Sequence, residues 1–498
     1  MDGGGWMSDG SGMIRNQDMF GGLGRVMAGC AALVMLSGGA LAKDSMDDLL
    51  KKVEGGDAAA QFEVGERYLT GDGVDASPNE AADWYLKAAE QGNVRAMSRL
   101  GSLLVQFGES AQVLNDGVQW LEKAVAKGDV EGMVALAKVE FAGKRPGSSG
   151  PDYERILKLL NDADAKGSTE APVLLGGMYA EGRGVEKDVA KARALFERGV
   201  DSGSVEAMLA LAAVYRQGLG VEEDSAKVIE LYKQAVDAGS GVACRRLAVA
   251  ALSGYGMEKS PEEAYKWFQK GAELNDAHSM RQVARYQMAK ATDDEGRKGA
   301  FEMVRKAADL GDPAALYDLA AFYDEGIATK KDQRRASELI YAAAVNGVIP
   351  AQVEMGARYR EGVGVMVRDF VAAAAWFSQA AGAGSGEAMY FLGVMHESGE
   401  GVAVQPQRAV EFYKQAIARG VTDAHSRLGA MLIDGRGVKA DPARAYAHFL
   451  IGAASRRDGQ ELIQRVEAQL TPEQREAGRA LVPELQKLGG SMKGGEDQ

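Results

Sequence analysis

One glycine returns at a nearly fixed interval along this chain, and that interval constrains the fold more than any other feature. Gly56, Gly92, Gly128, Gly167, Gly203, Gly239, Asn275, Gly311, Gly347, Gly384 and Gly420 each close a segment of the "KAAEQG" kind, with Asn275 standing where a glycine is due. The spacing is 36 residues, apart from one interval of 39 and one of 37. A period of this length marks a repeat architecture, whose units are each too small to bury their own apolar face and must stack on their neighbours. Eleven such units fill residues 57–458.

Each unit has the same internal order. Four positions after the marker the residue is always small, as in Ala60, Ala96, Gly132, Ser279 and Ala424. Eight and nine positions after it come an aliphatic and then Gly or Ala, as in Val64-Gly65, Leu175-Gly176, Leu211-Ala212, Met355-Gly356 and Leu392-Gly393. A tyrosine often follows three residues later, at Tyr68, Tyr179, Tyr215, Tyr323 and Tyr359. Steps of four place these residues on one face of an α-helix. Small residues on that face admit a second helix at close range, and tyrosine adds a large apolar body with a polar tip.

The first helix then stops at G-x-G-V: Gly71-Asp72-Gly73-Val74, Gly182-Arg183-Gly184-Val185, Gly362-Val363-Gly364-Val365 and Gly435-Arg436-Gly437-Val438. Glycine ends a helix in the left-handed region without steric cost. The valine is expected to plug the gap between the two helices. A second helix follows with a bulky pair, such as Trp84-Tyr85, Leu195-Phe196, Trp376-Phe377 or Phe412-Tyr413. After the next marker, a residue such as Asp57, Asn93, Asp129, Ser204 or Asp312 caps the following helix.

Three units depart from this order. Residues 93–128 lack G-x-G-V, residues 129–167 carry a longer Gly/Pro/Ser loop at 143–151, and residues 276–311 replace the turn with Lys290 to Gly296. Both local bends and simple drift of the repeat account for them.

Outside the repeats, residues 1–42 read as a signal peptide. Arg15 and Arg25 precede an apolar run from Val26 to Leu36, and Ala40-Leu41-Ala42 forms an A-x-A site with cleavage after Ala42. The run is too short for a membrane span, which needs about 20 apolar residues. Met13 or Met19 suits the start of such a segment better than Met1. Met27-Ala28-Gly29-Cys30 resembles a lipoprotein box only loosely, since apolar residues follow it, so a lipid anchor at Cys30 is not expected. Cleavage leaves Cys244 as the single cysteine and excludes an internal disulfide. Residues 43–56 are expected to cap the stack at one end and helices within 459–488 at the other, leaving 489–498 as a disordered tail. No transmembrane span is expected downstream.

Ala388 to Gly420, "AMYFLGVMHESGEGVAVQPQRAVEFYKQAIARG", resembles a Sel1-like repeat, and Ala60 to Gly92 resembles it equally. This is a relative of the tetratricopeptide repeat. The resemblance implies an all-α fold, a right-handed α/α superhelix (solenoid) of about eleven 36-residue repeats, with the first helix of each pair lining the concave face.

Composition and motifs bear on function. A formal charge of −13 argues against nucleic acid, whose phosphates demand clustered Lys and Arg. The four histidines, His278, His396, His425 and His448, read as lying in different repeats without metal-ligand spacing. Cys244 has no evident histidine partner, and the G-x-G-V turns follow no strand and precede no G-K-[ST]. No catalytic residue, metal or cofactor is therefore assigned. The family's cysteine-rich members described as β-lactamases pair cysteines within repeats, and this chain lacks those pairs.

What remains is a surface. Positions six, ten and thirteen after the marker fall on the face that the resemblance makes concave. They carry Arg216, Arg245, Arg281 and Arg285 in three consecutive repeats, and further on Tyr317, Arg360 and Tyr390. Such a stripe suits an acidic peptide segment or the machinery of an acidic polysaccharide. The competing reading pairs these arginines with local acids such as Glu222, Glu223 and Asp237. The expectation is an exported, periplasmic or secreted scaffold for other proteins of the cell envelope. The resemblance adds exopolysaccharide export of the alginate type as the narrower reading. A carboxylate-based hydrolase or carbohydrate-binding protein, using Asp324, Glu325 and Glu361 in the groove, is the alternative.

Overall fold

The computed structural model describes residues 45–108, 110–145, 147–454 and 459–488, which form 25 α-helices and, among them, no strand. The signal-peptide segment 1–42, Cys30, Asp458 and the tail 489–498 lie outside the described residues.

Two compact units divide the chain: one holds the described residues up to Ala243 with Gly254–Lys259, the other Cys244–Ser253 with the described residues from Ser260 on. In the first, α1 (Met46–Glu54) precedes five hairpins. These are α2 (Ala58–Thr70) with α3 (Pro78–Glu90), α4 (Val94–Phe107) with α5 (Ala111–Ala126), and α6 (Val130–Phe141) with α7 (Tyr153–Ala165). Then come α8 (Ala171–Glu181) with α9 (Val189–Asp201), and α10 (Val205–Gln217) with α11 (Ser225–Asp237). The second unit takes α12 (Gly241–Ser253) from Cys244 onward, with α13 (Pro261–Glu273). It continues through α14 (Ala277–Lys290) with α15 (Asp294–Asp309), α16 (Pro313–Glu325) with α17 (Gln333–Val345), and α18 (Ile349–Glu361) with α19 (Phe370–Gly382). It ends with α20 (Gly386–Ser398) and α21 (Pro406–Ala418), α22 (Asp423–Asp434) and α23 (Pro442–Ala453), then α24 (Gly459–Glu467) and α25 (Pro472–Leu488).

Six hairpins close on the same kind of contact. Where the residue nine positions after the marker is glycine, it lies beneath a ring or leucine of the second helix. A β-carbon added at Gly65 would stand 2.6 Å from the Tyr85 ring, at Gly176 2.5 Å from Phe196, at Gly356 2.6 Å from Phe377, and at Gly393 2.5 Å from Tyr413. All four rings are fully buried. An interior packed to crystal density has no room for that carbon unless the helices part. A tyrosine here brings a hydroxyl that must be satisfied. Tyr85 donates to Glu66 at 2.5 Å and Tyr413 to Glu397 at 2.7 Å, each carboxylate coming from the first helix of the same hairpin. Phe196 and Phe377 need no such partner.

The turns do two jobs. The first glycine ends the helix in the left-handed region, as at Gly435 with φ 69°. The second seats the turn on the preceding hairpin: a β-carbon at Gly401 would strike the Phe370 carbonyl, and one at Gly437 would strike Pro406. The valine is half-buried at Val74, Val185, Val221, Val402 and Val438. Val365 is not, being 55% exposed, and Met366 is half-buried in its stead. The extra residue of the 37-residue interval moves the plug on by one. Between α16 and α17 the second glycine is replaced by Ala328, which is held at φ 56°.

The irregular units keep the hairpin. In the two without G-x-G-V, the first helix gains a residue and leaves through an extended residue, Gly108 or Ala291, and the second helix lengthens to 16 residues. In the third hairpin, the long loop is held from beneath by four charges. Arg145 reaches Glu140 at 2.7 Å and Glu122 at 3.1 Å, while Arg155 reaches Glu122 at 2.7 Å and Glu140 at 3.5 Å. Glu140 is almost wholly buried, so this pairing offsets a desolvation cost that a lone carboxylate could not bear.

Helices outside the repeat cover both ends. Leu49 of α1 is buried with Ala60 and Val64. At the other end α25 packs on α23, with Gly478 so close that a β-carbon would lie 2.8 Å from the Tyr446 ring. The start of α25 is capped in both directions, Gln474 N donating to Thr471 Oγ1 at 3.3 Å and Thr471 N to Gln474 Oε1 at 2.9 Å.

Two substitutions test this packing. Gly356→Ala should destabilise the protein, because overpacking costs about 1–3 kcal/mol and outweighs the roughly 1 kcal/mol gained in helix propensity. Gly382→Ala, where a β-carbon meets nothing within 4 Å, should stabilise slightly. Thermal denaturation of the pair separates packing from propensity. In a second experiment, Ala328→Gly should raise stability by about 1 kcal/mol by relieving the left-handed alanine; an unchanged or lower melting temperature contradicts this.

Candidate functional site

The surface residues singled out from the sequence sit on the first helices, where the next hairpin holds Arg245, Arg281, Arg285 and Arg360. Asp276 caps α14 by accepting from Ser279 N at 2.9 Å, and the same carboxylate lies 3.8 Å from Arg245 Nε. Asp312 caps α16 by accepting from Ala314 N at 2.9 Å and lies 3.5 Å from Arg281 Nη1. In the first unit Ser98 occupies the equivalent place and donates to Asp129 Oδ2 at 2.5 Å, which also accepts from Gly132 N at 2.7 Å. In these three repeats the residue six after the marker therefore reads the N-cap aspartate of the following hairpin.

The arginines are consequently not a bare cationic stripe. Arg281 is buried, with Nε 2.8 Å from Asp318 Oδ2, and Arg285 takes the other oxygen at 3.0 Å. The acids involved belong to the hairpins ahead, not to the group Glu222, Glu223 and Asp237. Arg285 remains largely exposed and Arg245 half-exposed, whereas Arg281 serves the frame. Arg216 is exposed at the end of α10 and belongs to the first unit.

The aromatic members are partly sheltered. Tyr317 is half-buried, and burial, followed by Glu354, Glu387 and Asp318, pushes its hydroxyl above the ordinary tyrosine range. Arg360 donates to Glu400 at 2.8 Å and lies 5.8 Å from the Phe391 ring centre. Phe391 meets Tyr390 edge-on at 5.5 Å, so Arg360 and Tyr390 flank one ring. Of the groove carboxylates, Asp324 is engaged by Arg358 at 2.6 Å, and Glu325 and Glu361 are exposed at helix ends.

One pairing had no counterpart in the sequence reading. His425 and His448 share the last hairpin rather than separate repeats, and their Nδ1 atoms lie 2.8 Å apart in the interior. Their separation of 23 residues is that of facing positions on the two helices of one unit, a spacing that could have revealed them. Burial pushes His425 down to about 4. It pushes His448 down to about 3, aided by His425, Arg444 and Lys414. Two histidines do not make a metal centre, and no group of three or more metal-ligating side chains converges among the described residues. Cys244 is buried and free, its thiol pushed up to about 11 by burial.

Stacked helical hairpins that present an ordered side-chain face define a solenoid scaffold, a class suited to holding protein partners. The chain belongs to the Sel1 repeat family, whose model matches residues 58–93, 94–129, 170–204, 205–240, 241–276, 294–312, 313–347, 349–385, 386–421 and 422–455. The hairpin within 130–169 is thus a repeat by geometry that the family model does not match. Among curated proteins none matches. Among solved structures, the chain is similar to c5321, a protective antigen present in uropathogenic Escherichia coli strains that displays an SLR fold. The two are 26% identical over 92% of this chain and 99% of that one, with a TM-score of 0.56. It is also similar to a Sel1 repeat protein from Oxalobacter formigenes, at 25% identity over 51% of this chain and 100% of that one, with a TM-score of 0.44. No helix among the described residues is long and apolar enough to cross a membrane.

The histidine pair predicts acid sensitivity. Both groups titrate below the ordinary value of about 6.5 when folded, so the unfolded chain binds protons first. Stability is complete above about pH 6.5 and falls as pH drops towards 4, by about 2 kcal/mol per histidine at pH 5. Denaturant titrations at pH 7 and pH 5 check this, and His448→Leu should halve the difference, leaving the share of His425.

Proposed function

We propose that this Sel1-repeat protein is an exported scaffold that gathers partner proteins at the cell envelope through the first-helix face of its second unit. The observation that carries the reading is the ion-paired frame beneath that face. Arg281 is fixed between Asp312 and Asp318, so the neighbouring exposed Arg285 and half-buried Tyr317 are held in place before any partner arrives. A surface already ordered loses little side-chain entropy on binding. Tyr390, Arg360 and Phe391 extend it with the residue types that concentrate binding energy. Arg245 and Arg285 favour an acidic segment in the partner.

Export rests on the basic residues, short apolar run and Ala40-Leu41-Ala42 site near the start of the sequence. Periplasmic placement and a role in exopolysaccharide export are the narrower parts of the same proposal. The hydrolase alternative draws no support from Asp324, whose carboxylate is committed to Arg358.

Fractionation of cells producing the tagged chain tests export directly: retention in the cytoplasm at full length would sink that part. Envelope pull-downs comparing the native chain with Arg245→Glu/Arg285→Glu test the surface. Partners bound through it should drop at least tenfold, which is about 1.4 kcal/mol. Arg281 is left untouched because it is itself buried and its reversal would set a carboxylate against Asp312 and Asp318.

A further inference from the structure

In the first unit the second hairpin crosses at two glycines. Gly117 of α5 stands where most other units place alanine, and it meets Gly101 of α4. A β-carbon on Gly101 would lie 2.8 Å from the Gly117 carbonyl oxygen, and one on Gly117 would lie 3.0 Å from that of Gly101. Beside this crossing a groove of about 270 Å³ runs between α3 and α5. Leu100 and Leu104 of α4, Leu86 of α3 and Trp120 of α5 make it apolar. One carboxylate enters it from each second helix, Asp83 from α3 and Asp116 from α5.

The three helices carry four cations and five acids. Arg99 is held by Glu66 and Glu131, and Arg95 lies over the Phe62 ring at 4.7 Å, so both turn towards neighbouring first helices. Lys87 and Lys123 fold back over the rings of Trp84 and Trp120, at 3.8 Å and 3.7 Å, and neither lines the groove. Among the acids, Glu122 is taken by Arg145 and Arg155. Glu80, Asp83, Glu90 and Asp116 form no ion pair among the described residues. Asp116 accepts one bond, from Gln112 Nε2 at 2.9 Å, and its charge is left without a counterion there.

Two carboxylates without cations, set on an apolar lining, ask for one side chain that is aliphatic along its length and positive at its tip. We infer that this groove receives an arginine of a partner protein, its stem on Leu86, Leu104 and Trp120 and its guanidinium between Asp83 and Asp116. The planar fork of arginine can serve two carboxylates at once and packs on an aromatic ring, whereas lysine is a more strongly hydrated point charge. A purely apolar anchor would strip water from both carboxylates and return nothing for it. An acidic anchor would meet like charge. The site is independent of the first-helix face of the second unit, which favours acidic segments, and it shares no residue with that face.

Tryptophan emission of the full chain, titrated with the capped peptide Ser-Gly-Arg-Leu-Gly-Ser, tests the assignment. The native protein should give a saturable change that Trp120→Phe removes and Trp267→Phe leaves in place. A peptide with citrulline, which keeps the shape of arginine without its charge, should bind about tenfold more weakly or worse, and a lysine peptide about threefold more weakly. Asp83→Asn/Asp116→Asn should weaken the arginine peptide by about tenfold or more. Glu154→Gln/Asp162→Asn removes two exposed charges elsewhere and should leave the affinity within about twofold. Unchanged thermal melts confirm that both double variants fold. The inference is overturned if the native chain shows no saturable change, if citrulline or lysine binds as well as arginine, or if the two double variants lose affinity equally. A dimer of the native chain alone, dissociated by Asp83→Asn/Asp116→Asn, would seat a second copy in the groove and overturn the assignment to a partner.

Discussion

The contact between a missing side chain and a buried ring governs the rest of this structure. Gly65, Gly176, Gly356 and Gly393 each let a Tyr or Phe of the second helix lie flat against the first-helix backbone. The hairpin spacing that results sets the thickness of each unit. The turns then follow, because two helices this close must be joined by a chain that reverses tightly and leans back on the preceding hairpin. Interiors of this density tolerate neither an added carbon nor a void.

Polar groups enter the interior only with partners supplied by the same geometry. Tyr85 and Tyr413 bring hydroxyls that Glu66 and Glu397 accept. Burial pushes both phenols up, with those carboxylates adding to it, so both remain protonated donors. The third hairpin, deprived of its glycine turn, substitutes a cluster of two arginines and two glutamates. The last hairpin contains two neutral histidines that satisfy one another. Each of these solutions differs in chemistry, yet each gives the buried polar groups partners within the same hairpin.

The fold was legible because its determinants are local and periodic. Small residues at the fourth and ninth positions, glycines at the helix end and caps after the marker all repeat within a window of one unit. Even Val365 carried its own warning, since the 37-residue interval implied one residue too many for the plug. The surface was less legible. Arg281 could be placed on the first-helix face, but its partners Asp312 and Asp318 lie 31 and 37 residues away, in the next hairpin. Counting cations on one face without the acids of its neighbour made a paired frame look like an open stripe. His425 and His448 were missed for a related reason, being judged by metal-ligand spacing rather than by which helices face each other.

An aspartate that caps one helix while holding a side chain of the hairpin before it does something further. Asp129, Asp276 and Asp312 each join two units through a rule written only in positions relative to the marker. A segment of 36 residues removed or duplicated in register brings a new position-six residue against an equivalent cap. Where that residue is Ser or Arg, the joint re-forms without any other change. At these three places one carboxylate thus fixes both the start of a helix and the seat of the repeat before it, so that the order of one repeat is passed to the next through a single side chain.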